Sequence, residues 1–254
     1  MLSKNRIKII KSLNHKKGRE KENCFLAEGD KIVNEALKSN FSVEYIIATS
    51  TFIDSNPLIC NPKDTIEVTK KEIQNASLLK SPQNVMAIIH LPENTFSISS
   101  LKNQFSIALD SIQDPGNMGT IIRIADWFGI QHIICSNDTV DCFSPKVIQA
   151  SMGAIFRVKV HYTNMESTIK KIKELKIPVF GTFLEGDNIF KEPLPSTGIL
   201  VMGNEGNGIS EKISHYIDKR ITIPSFGKSG TESLNVGTAT AICCAEFKRR
   251  TIIP

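Results

Sequence analysis

The run FSIALDSIQDPGNMGTIIRIADWFGIQHIICS, residues 105–136, reads as strand, helix, strand. Phe105–Leu109 is a short apolar run that suits a buried strand, and Asp114-Pro115-Gly116-Asn117 is a turn able to cap a helix. That helix continues to about Phe128, stops at Gly129, and gives way to a strand at His132–Cys135. Downstream the alternation repeats: helix Pro145–Met152, strand Phe156–Val160, helix Met165–Leu175, strands Pro178–Thr182 and Gly198–Met202. A short helix from Ser210, a strand Arg220–Ile223, a Gly/Ser loop and a helix Leu234–Arg250 complete the series. Strands alternating with helices at this length predict an α/β fold with a mostly parallel sheet covered on both faces. Ligands of such sheets sit beyond the carboxyl ends of the strands, so the loops that follow strands carry the search.

Upstream, Ile7, Ile10 and Leu13 sit at helical spacing among lysines, followed by a loop Asn14–Arg19 that contains Gly18. Strands are expected at Cys24–Ala27, Val43–Ala48, Thr65–Val68 and Val85–His90, with helices at Asp30–Lys38 and Lys70–Leu79, which makes a small α/β unit. Residues 91–104 (LPENTFSISSLKNQ) lose periodicity and read as a linker. Two domains are therefore expected, 1–92 and 104–254, and no tandem repeat is visible.

Composition narrows the class. The 254 residues are 41% hydrophobic and 22% charged, which excludes a disordered or collagen-like chain. No run of about 18 apolar residues is present, so no membrane-spanning helix is expected. The cationic start has no apolar stretch behind it, and the expectation is a cytoplasmic protein in which the glycosylation-like triplets at Asn75 and Asn137 are chance. Six cysteines show no C-x-x-C pair, so reduced core thiols are expected, with no disulfide framework and no metal. Residues 1–22 hold eight Lys/Arg against two Glu, a net +6, whereas the whole chain carries +5. A basic front on a nearly neutral body suits a phosphate backbone, although a solvated helix face would look the same.

Three loops hold chemistry-bearing residues. In the first, Asn117 and Arg123 are six residues apart, which places them about 120° apart around a helix, yet the long Arg side chain can reach back. An Asn cap and a surface Arg is the plain alternative. The second loop, Gly203-Asn-Glu-Gly-Asn-Gly208, follows an apolar strand and carries Glu205; its order is not that of the dinucleotide fingerprint, and a tight turn without a ligand is its plain alternative. The third, Ile221–Val236, contains Gly227-Lys228-Ser229, but Thr222 stands where a phosphate-binding P-loop needs glycine. Ser233 there reads as a helix cap, while Asn235 inside a first turn is harder to explain by capping alone.

Together, N-x-G-x-x-x-R (Asn117, Gly119, Arg123), G-N-E-G (203–206) and I-P…S-L-N-V (223–236) resemble the three signature motifs of SpoU (TrmH-type) RNA 2′-O-ribose methyltransferases, in family order. The basic segment KSLNHKKGREKENCFLAEGDKIVNEAL also resembles that family's N-terminal RNA-binding domain. The resemblance implies a SPOUT domain, a parallel sheet with a deep trefoil knot, preceded by a small α/β RNA-binding domain. It implies S-adenosylmethionine held at Thr182, Gly203, Ile223 and Leu234, and a catalytic set of Asn117, Arg123, Glu205, Ser233 and Asn235. It implies a homodimer acting on RNA, ribosomal RNA in preference to tRNA, with no membrane partner.

The chemistry implied is in-line passage of a methyl from a sulfonium to a ribose oxygen, which asks for alignment and a loosened hydroxyl proton. Guanidinium groups stay protonated in proteins, so the expected role of Arg123 is to grip a neighbouring phosphate that orients and acidifies the hydroxyl. The rival readings are a non-catalytic RNA-binding protein that keeps the fold, a tRNA 2′-O-methyltransferase, and an enzyme acting on a base nitrogen.

Overall fold

The structure is a computed structural model that describes residues 2–56, 64–93, 95–227 and 233–252. The chain divides into two compact units, Met1–Glu93 with Asp141–Arg157, and Asn94–Val140 with Val158–Pro254.

In the first unit α1 (Lys4–Ser12), α2 (Lys16–Glu22), β1 (Cys24–Glu28), α3 (Asp30–Leu37) and β2 (Val43–Ala48) are followed by α4 (Ser50–Ser55), β3 (Thr65–Glu67), α5 (Lys70–Ala76) and β4 (Val85–His90). The sheet order is β1-β4-β2-β3; β4 runs antiparallel to both neighbours, and β2 pairs parallel with β3. β1 is buried along its whole length and β4 all but its last residue, so both read as unbroken apolar runs rather than alternating ones. α5 opens on a reciprocal cap in which the Thr69 hydroxyl accepts from the Glu72 N–H and the Glu72 carboxylate accepts from the Thr69 N–H.

Two expectations need correction here. The stretch expected as a loop at Asn14–Arg19 is mostly helix α2. Gly18 is required because a Cβ there would lie 2.0 Å from the Ser12 carbonyl oxygen, so the glycine lets α2 begin tight against the end of α1. Phe156, expected in a strand, lies in the 3-10 turn Ala154–Phe156, with its ring 5.3 Å from Phe41 and 6.3 Å from Phe25. The following strand starts only at Lys159.

The basic front end is not uniform either. Arg19 is 3% exposed; its Nε donates to Asp141 Oδ2 at 3.0 Å and its Nη1 to the Leu13 carbonyl at 2.7 Å. It is an internal brace, while Lys4, Arg6, Lys8, Lys11, Lys16, Lys17 and Lys21 remain exposed.

The second unit contains β5 (Phe105–Leu109), α6 (Pro115–Trp127) and β6 (His132–Ser136). After α7 (Pro145–Ser151), which belongs to the first unit, come β7 (Lys159–Thr163), α8 (Met165–Glu174), β8 (Val179–Asn188), β9 (Gly198–Met202), α9 (Glu211–Ser214), β10 (Lys219–Thr222) and α10 (Val236–Ile252). Six strands in the order β10-β8-β9-β5-β6-β7 pair parallel throughout. Gly129 ends α6 in the left-handed region at φ 64°, as its position in the sequence suggests. β8 runs six residues past its expected end, because beyond a register shift at Arg220/Ile221 the last residues of β10 pair with Asp187 and Asn188. Inside the expected linker, Ile98–Leu101 forms a 3-10 turn whose Leu101 is fully buried in this unit's core.

Among the described residues no helix is long and apolar enough to cross a membrane. Cys24, Cys135, Cys142, Cys243 and Cys244 are buried and form no disulfide; Cys60 lies outside the described residues.

Candidate active site

β5 and β9 run side by side, with Leu109 opposite Met202, so the loops leaving them emerge together at the carboxyl edge of the sheet. The Asp110 N–H donates to the Met202 carbonyl at 2.9 Å, and Asp110 Oδ2 accepts from the Ser210 N–H at 2.7 Å. Asn204 donates from Nδ2 to the Ser111 carbonyl at 2.7 Å, while its Oδ1 accepts from Gly206 and Asn207 at 2.9 and 3.0 Å. The two loops are thereby fixed to each other.

The Asn117 side chain is not the cap of α6. Asp114 takes that place, accepting from the Asn117 N–H at 2.8 Å, with Pro115 at the first helical position. The Asn117 amide is thus released for other contacts. Its Nδ2 donates to Glu205 Oε1 at 2.9 Å, and its Oδ1 accepts from Asn235 Nδ2 at 2.9 Å. Three segments distant in sequence meet on one amide, whose orientation the acceptor on one side and the donor on the other determine.

Glu205 also accepts from the Gln113 and Asp114 N–H groups, each at 3.3 Å. Burial raises its pKa, but these donors, with the Asn117 amide, outweigh burial and hold the carboxyl below the usual carboxylate range. It stays ionised at the amino end of α6, where the helix dipole favours negative charge.

Asn235 corrects an expectation. The last helix starts at Val236, not Leu234, and Asn235 is its capping residue, since Oδ1 accepts from Gly237 and Thr238 at 2.9 and 3.2 Å. One side chain both caps α10 and orients Asn117. Gly237 reflects close helix packing, because a Cβ there would lie 3.1 Å from Thr120 Cγ2 on α6.

Arg123 is exposed, and among the described residues no hydrogen bond or ion pair occupies its guanidinium. Ser233 is also exposed, and no hydrogen bond to its hydroxyl is present among the described residues. Of the five residues expected to be catalytic, the structure links Asn117, Glu205 and Asn235 directly. Gln113, Asn204 and Asp110 complete the scaffold and were missed. Asp110 carried a signal as the first residue past a strand, and Asn204 sits inside G-N-E-G, whereas Gln113 acts through its backbone and left no trace.

Of the positions expected to hold S-adenosylmethionine, Thr182 lies in a strand of this sheet, and Gly203 and Ile223 each follow one. Parallel β8 places Thr182 beside the end of β9, where its hydroxyl donates to the Val201 carbonyl at 3.3 Å. Gly203 follows β9, and a Cβ there would lie 2.2 Å from the Gly208 carbonyl carbon and the Ile209 nitrogen. Asn204 and Gly208 exchange backbone hydrogen bonds at 2.9 Å and close the loop on itself. Ile223 follows β10 half-buried; Leu234 is 48% and Phe226 90% exposed. Apolar side chains left in solvent at a sheet edge fit the flat face of an adenine ring. Residues 228–232, including Lys228 and Ser229 of the discarded P-loop reading, lie outside the described residues. A polar hollow of about 360 Å³ opens beside Ser111, Gln113 and Asn204, but none of the expected donor-binding residues lines it.

Residues 104–245 match the SpoU rRNA Methylase family and residues 4–87 the MRM3-like substrate binding domain. The chain is 31% identical over 239 residues to the 23S rRNA (guanosine(2553)-2′-O)-methyltransferase RlmP of Bacillus subtilis (strain 168), covering 93% of each. A solved structure of a putative RNA methyltransferase of the TrmH family from Porphyromonas gingivalis superposes with a TM-score of 0.90 at 40% identity, covering 98% of this chain and 99% of that one. An AdoMet-bound rRNA methyltransferase from Sinorhizobium meliloti gives a TM-score of 0.86 at 28% identity, covering 98% and 96%. The chain belongs to the SpoU rRNA methylase family: an α/β protein of SPOUT fold, an RNA 2′-O-methyltransferase that uses S-adenosylmethionine.

Proposed function

We propose that residues 104–254 methylate a ribose 2′-hydroxyl of ribosomal RNA that residues 1–92 help to hold. Relatives named as 23S rRNA guanosine 2′-O-methyltransferases support ribosomal RNA over tRNA. The observation that carries the mechanism is the Glu205–Asn117–Asn235 chain of hydrogen bonds, which ties together the three segments whose motifs define the site.

When bound, S-adenosylmethionine supplies a sulfonium, already a good leaving group, so the protein need only align the methyl with the hydroxyl and weaken the O–H bond. Thr182, Gly203, Ile223 and Leu234 would hold the donor, Gly203 through the loop that its missing side chain lets close and Ile223 and Leu234 as an apolar wall. Asn117 is locked by Glu205 and Asn235, so its amide needs no reorganisation when substrate arrives. Ser233 adds a hydroxyl at the start of the same segment. Arg123, free of protein partners among the described residues, grips the phosphate beside the target ribose with its planar fork and stabilises the charge that develops on the oxygen. The exposed cations of residues 4–21 add phosphate affinity that falls with salt.

Family membership also supports a deep trefoil knot around the donor site, a homodimer as the active species, and work in the cytoplasm, where the buried cysteines stay reduced. The test is transfer of labelled methyl to ribosomal RNA, followed by mapping of ribose methylation. Label on a single 2′-oxygen is expected. Label on a base, or donor binding without transfer to any ribosomal RNA, contradicts the reading.

A further inference from the structure

We propose that Cys24, Glu44 and His90 form a site for a divalent transition-metal ion of the zinc class, with three protein ligands and a fourth position open to water. The site lies in the first unit, at one end of its sheet, and owes nothing to the methyl-transfer chemistry.

Three neighbouring strands supply one donor each. Cys24 on β1 is the register partner of His90 on β4, and β2 flanks β4 on its other side. On β2, Val43 pairs with Ile89 and Tyr45 with Ile88, so Glu44 is an extra residue in the ladder. An irregularity of this kind re-aims a side chain, and here it brings Glu44 to the two donors of the neighbouring strands. Cys24 Sγ lies 3.3 Å from Glu44 Oε2 and 3.4 Å from His90 Nδ1, and the three donor atoms all fall within 4.8 Å of one another. Tetrahedral zinc, with bonds of about 2.3 Å to sulfur and 2.0–2.1 Å to nitrogen or oxygen, separates its ligand atoms by about 3.4–3.6 Å. The cluster needs little adjustment to close around an ion.

The thiol donates to a Glu44 oxygen, and the imidazole tautomer sets the direction of its contact with His90 Nδ1. A cation serves all three groups. On binding, the Sγ–H bond breaks, an Sγ–metal bond forms and the proton leaves to solvent, while His90 offers its Nδ1 lone pair from the tautomer protonated at Nε2. The Glu22 carboxylate, close enough to act electrostatically on Cys24, adds favourable negative charge. Cys24 is 1% exposed, but Glu44 is exposed and gives the ion its way in. Sulfur, nitrogen and oxygen together select zinc-like ions over magnesium or calcium. Spacings of 20 and 46 residues hid the group from any search for short ligand motifs.

The test uses the full chain, stripped with chelator and titrated with Co²⁺ as an optical probe and with Zn²⁺ by calorimetry. One ion per chain is expected, with a thiolate-to-cobalt charge-transfer band. Cys24→Ser should abolish the band, and Glu44→Gln should weaken Zn²⁺ binding at least about tenfold. Circular dichroism of the stripped variants checks that each is folded. If Cys24→Ser fails to fold, the exposed Glu44→Gln decides alone. Absence of the band, a band unchanged in Cys24→Ser, or an affinity unchanged in Glu44→Gln overturns the proposal.

Discussion

Each of the two compact units draws together polar side chains from three distant segments, and the two sets differ in the chemistry of the groups they gather. Around Asn117 the bonds form a matched chain, with Glu205 receiving from three donors, Asn117 both giving and receiving, and Asn235 capping a helix while it donates. Around Cys24, a thiol, a carboxylate and an imidazole, each able to ligate a metal, lie within 4.8 Å of one another. A filled network rigidifies what it holds, and the chemistry then falls, in the function proposed above, to the exposed Arg123. A convergence of sulfur, nitrogen and oxygen ligand atoms at a sheet end is suited to take up a cation. The same folding principle, distant residues brought to one strand end, thus serves orientation in one unit and ligation in the other.

The sharpest way to break this contrast is at the unoccupied group. Arg123→Ala should lower kcat by about 10²–10³-fold, the usual loss when a group that stabilises developing charge is removed. Arg123→Lys should recover little, because an ammonium lacks the fork. Both should melt within about 0.5 kcal/mol of the parent, as surface changes do. Full turnover by the Lys variant would remove the phosphate-fork role.

Next in size is the loop that carries Glu205. Gly203→Ala pushes a methyl into the backbone of Gly208 and Ile209, and overpacking of this kind costs about 1–3 kcal/mol. Urea denaturation should show that loss together with weaker donor binding; an unaltered midpoint would mean that the loop is less fixed than its hydrogen bonds imply. A milder effect is expected from Lys8→Ala, Lys16→Ala and Lys17→Ala combined. RNA affinity should drop and the salt slope shrink by roughly one per lost phosphate contact, with stability unchanged. Removing residues 1–22 would be a poor substitute, since it also deletes the buried Arg19 brace.

The smallest effect concerns pH. His132 Nδ1 and His161 Nε2 lie 3.0 Å apart in β6 and β7, with Phe96 stacked 4.3 Å from the His161 ring. Burial, helped by His132 and Lys159, pushes His161 down from 6.5 to about 4. A group with a depressed folded value binds its proton in the unfolded chain first. Stability should therefore be full above pH 6.5 and decline as pH falls toward about 4. Denaturation at pH 7.5 and 5 checks it, and His161→Phe should flatten the decline.

Much of the parallel sheet was legible because buried strands such as Gly198–Met202 are uninterrupted apolar runs bounded by turn residues. Strand order and register were not legible, since both depend on contacts between residues far apart. Gly18 misled because a glycine needed for close approach looks, in sequence alone, like one needed for a bend. Asn235 behaves otherwise: capping alone does not account for it, since it caps α10 and also reaches Asn117. The motifs fall on segments that hydrogen bonds tie together, but the direction of each amide, and the extra residue on β2 that turns Glu44 toward Cys24, belong to the folded chain.

The central claim is that Asn117 and Glu205 act as one unit in methyl transfer. A double-mutant cycle on kcat with Asn117→Ala, Glu205→Gln and the pair measures this directly. The account predicts that the pair is barely slower than the worse single variant. Losses that simply multiply would show that the two side chains work independently, and would contradict it.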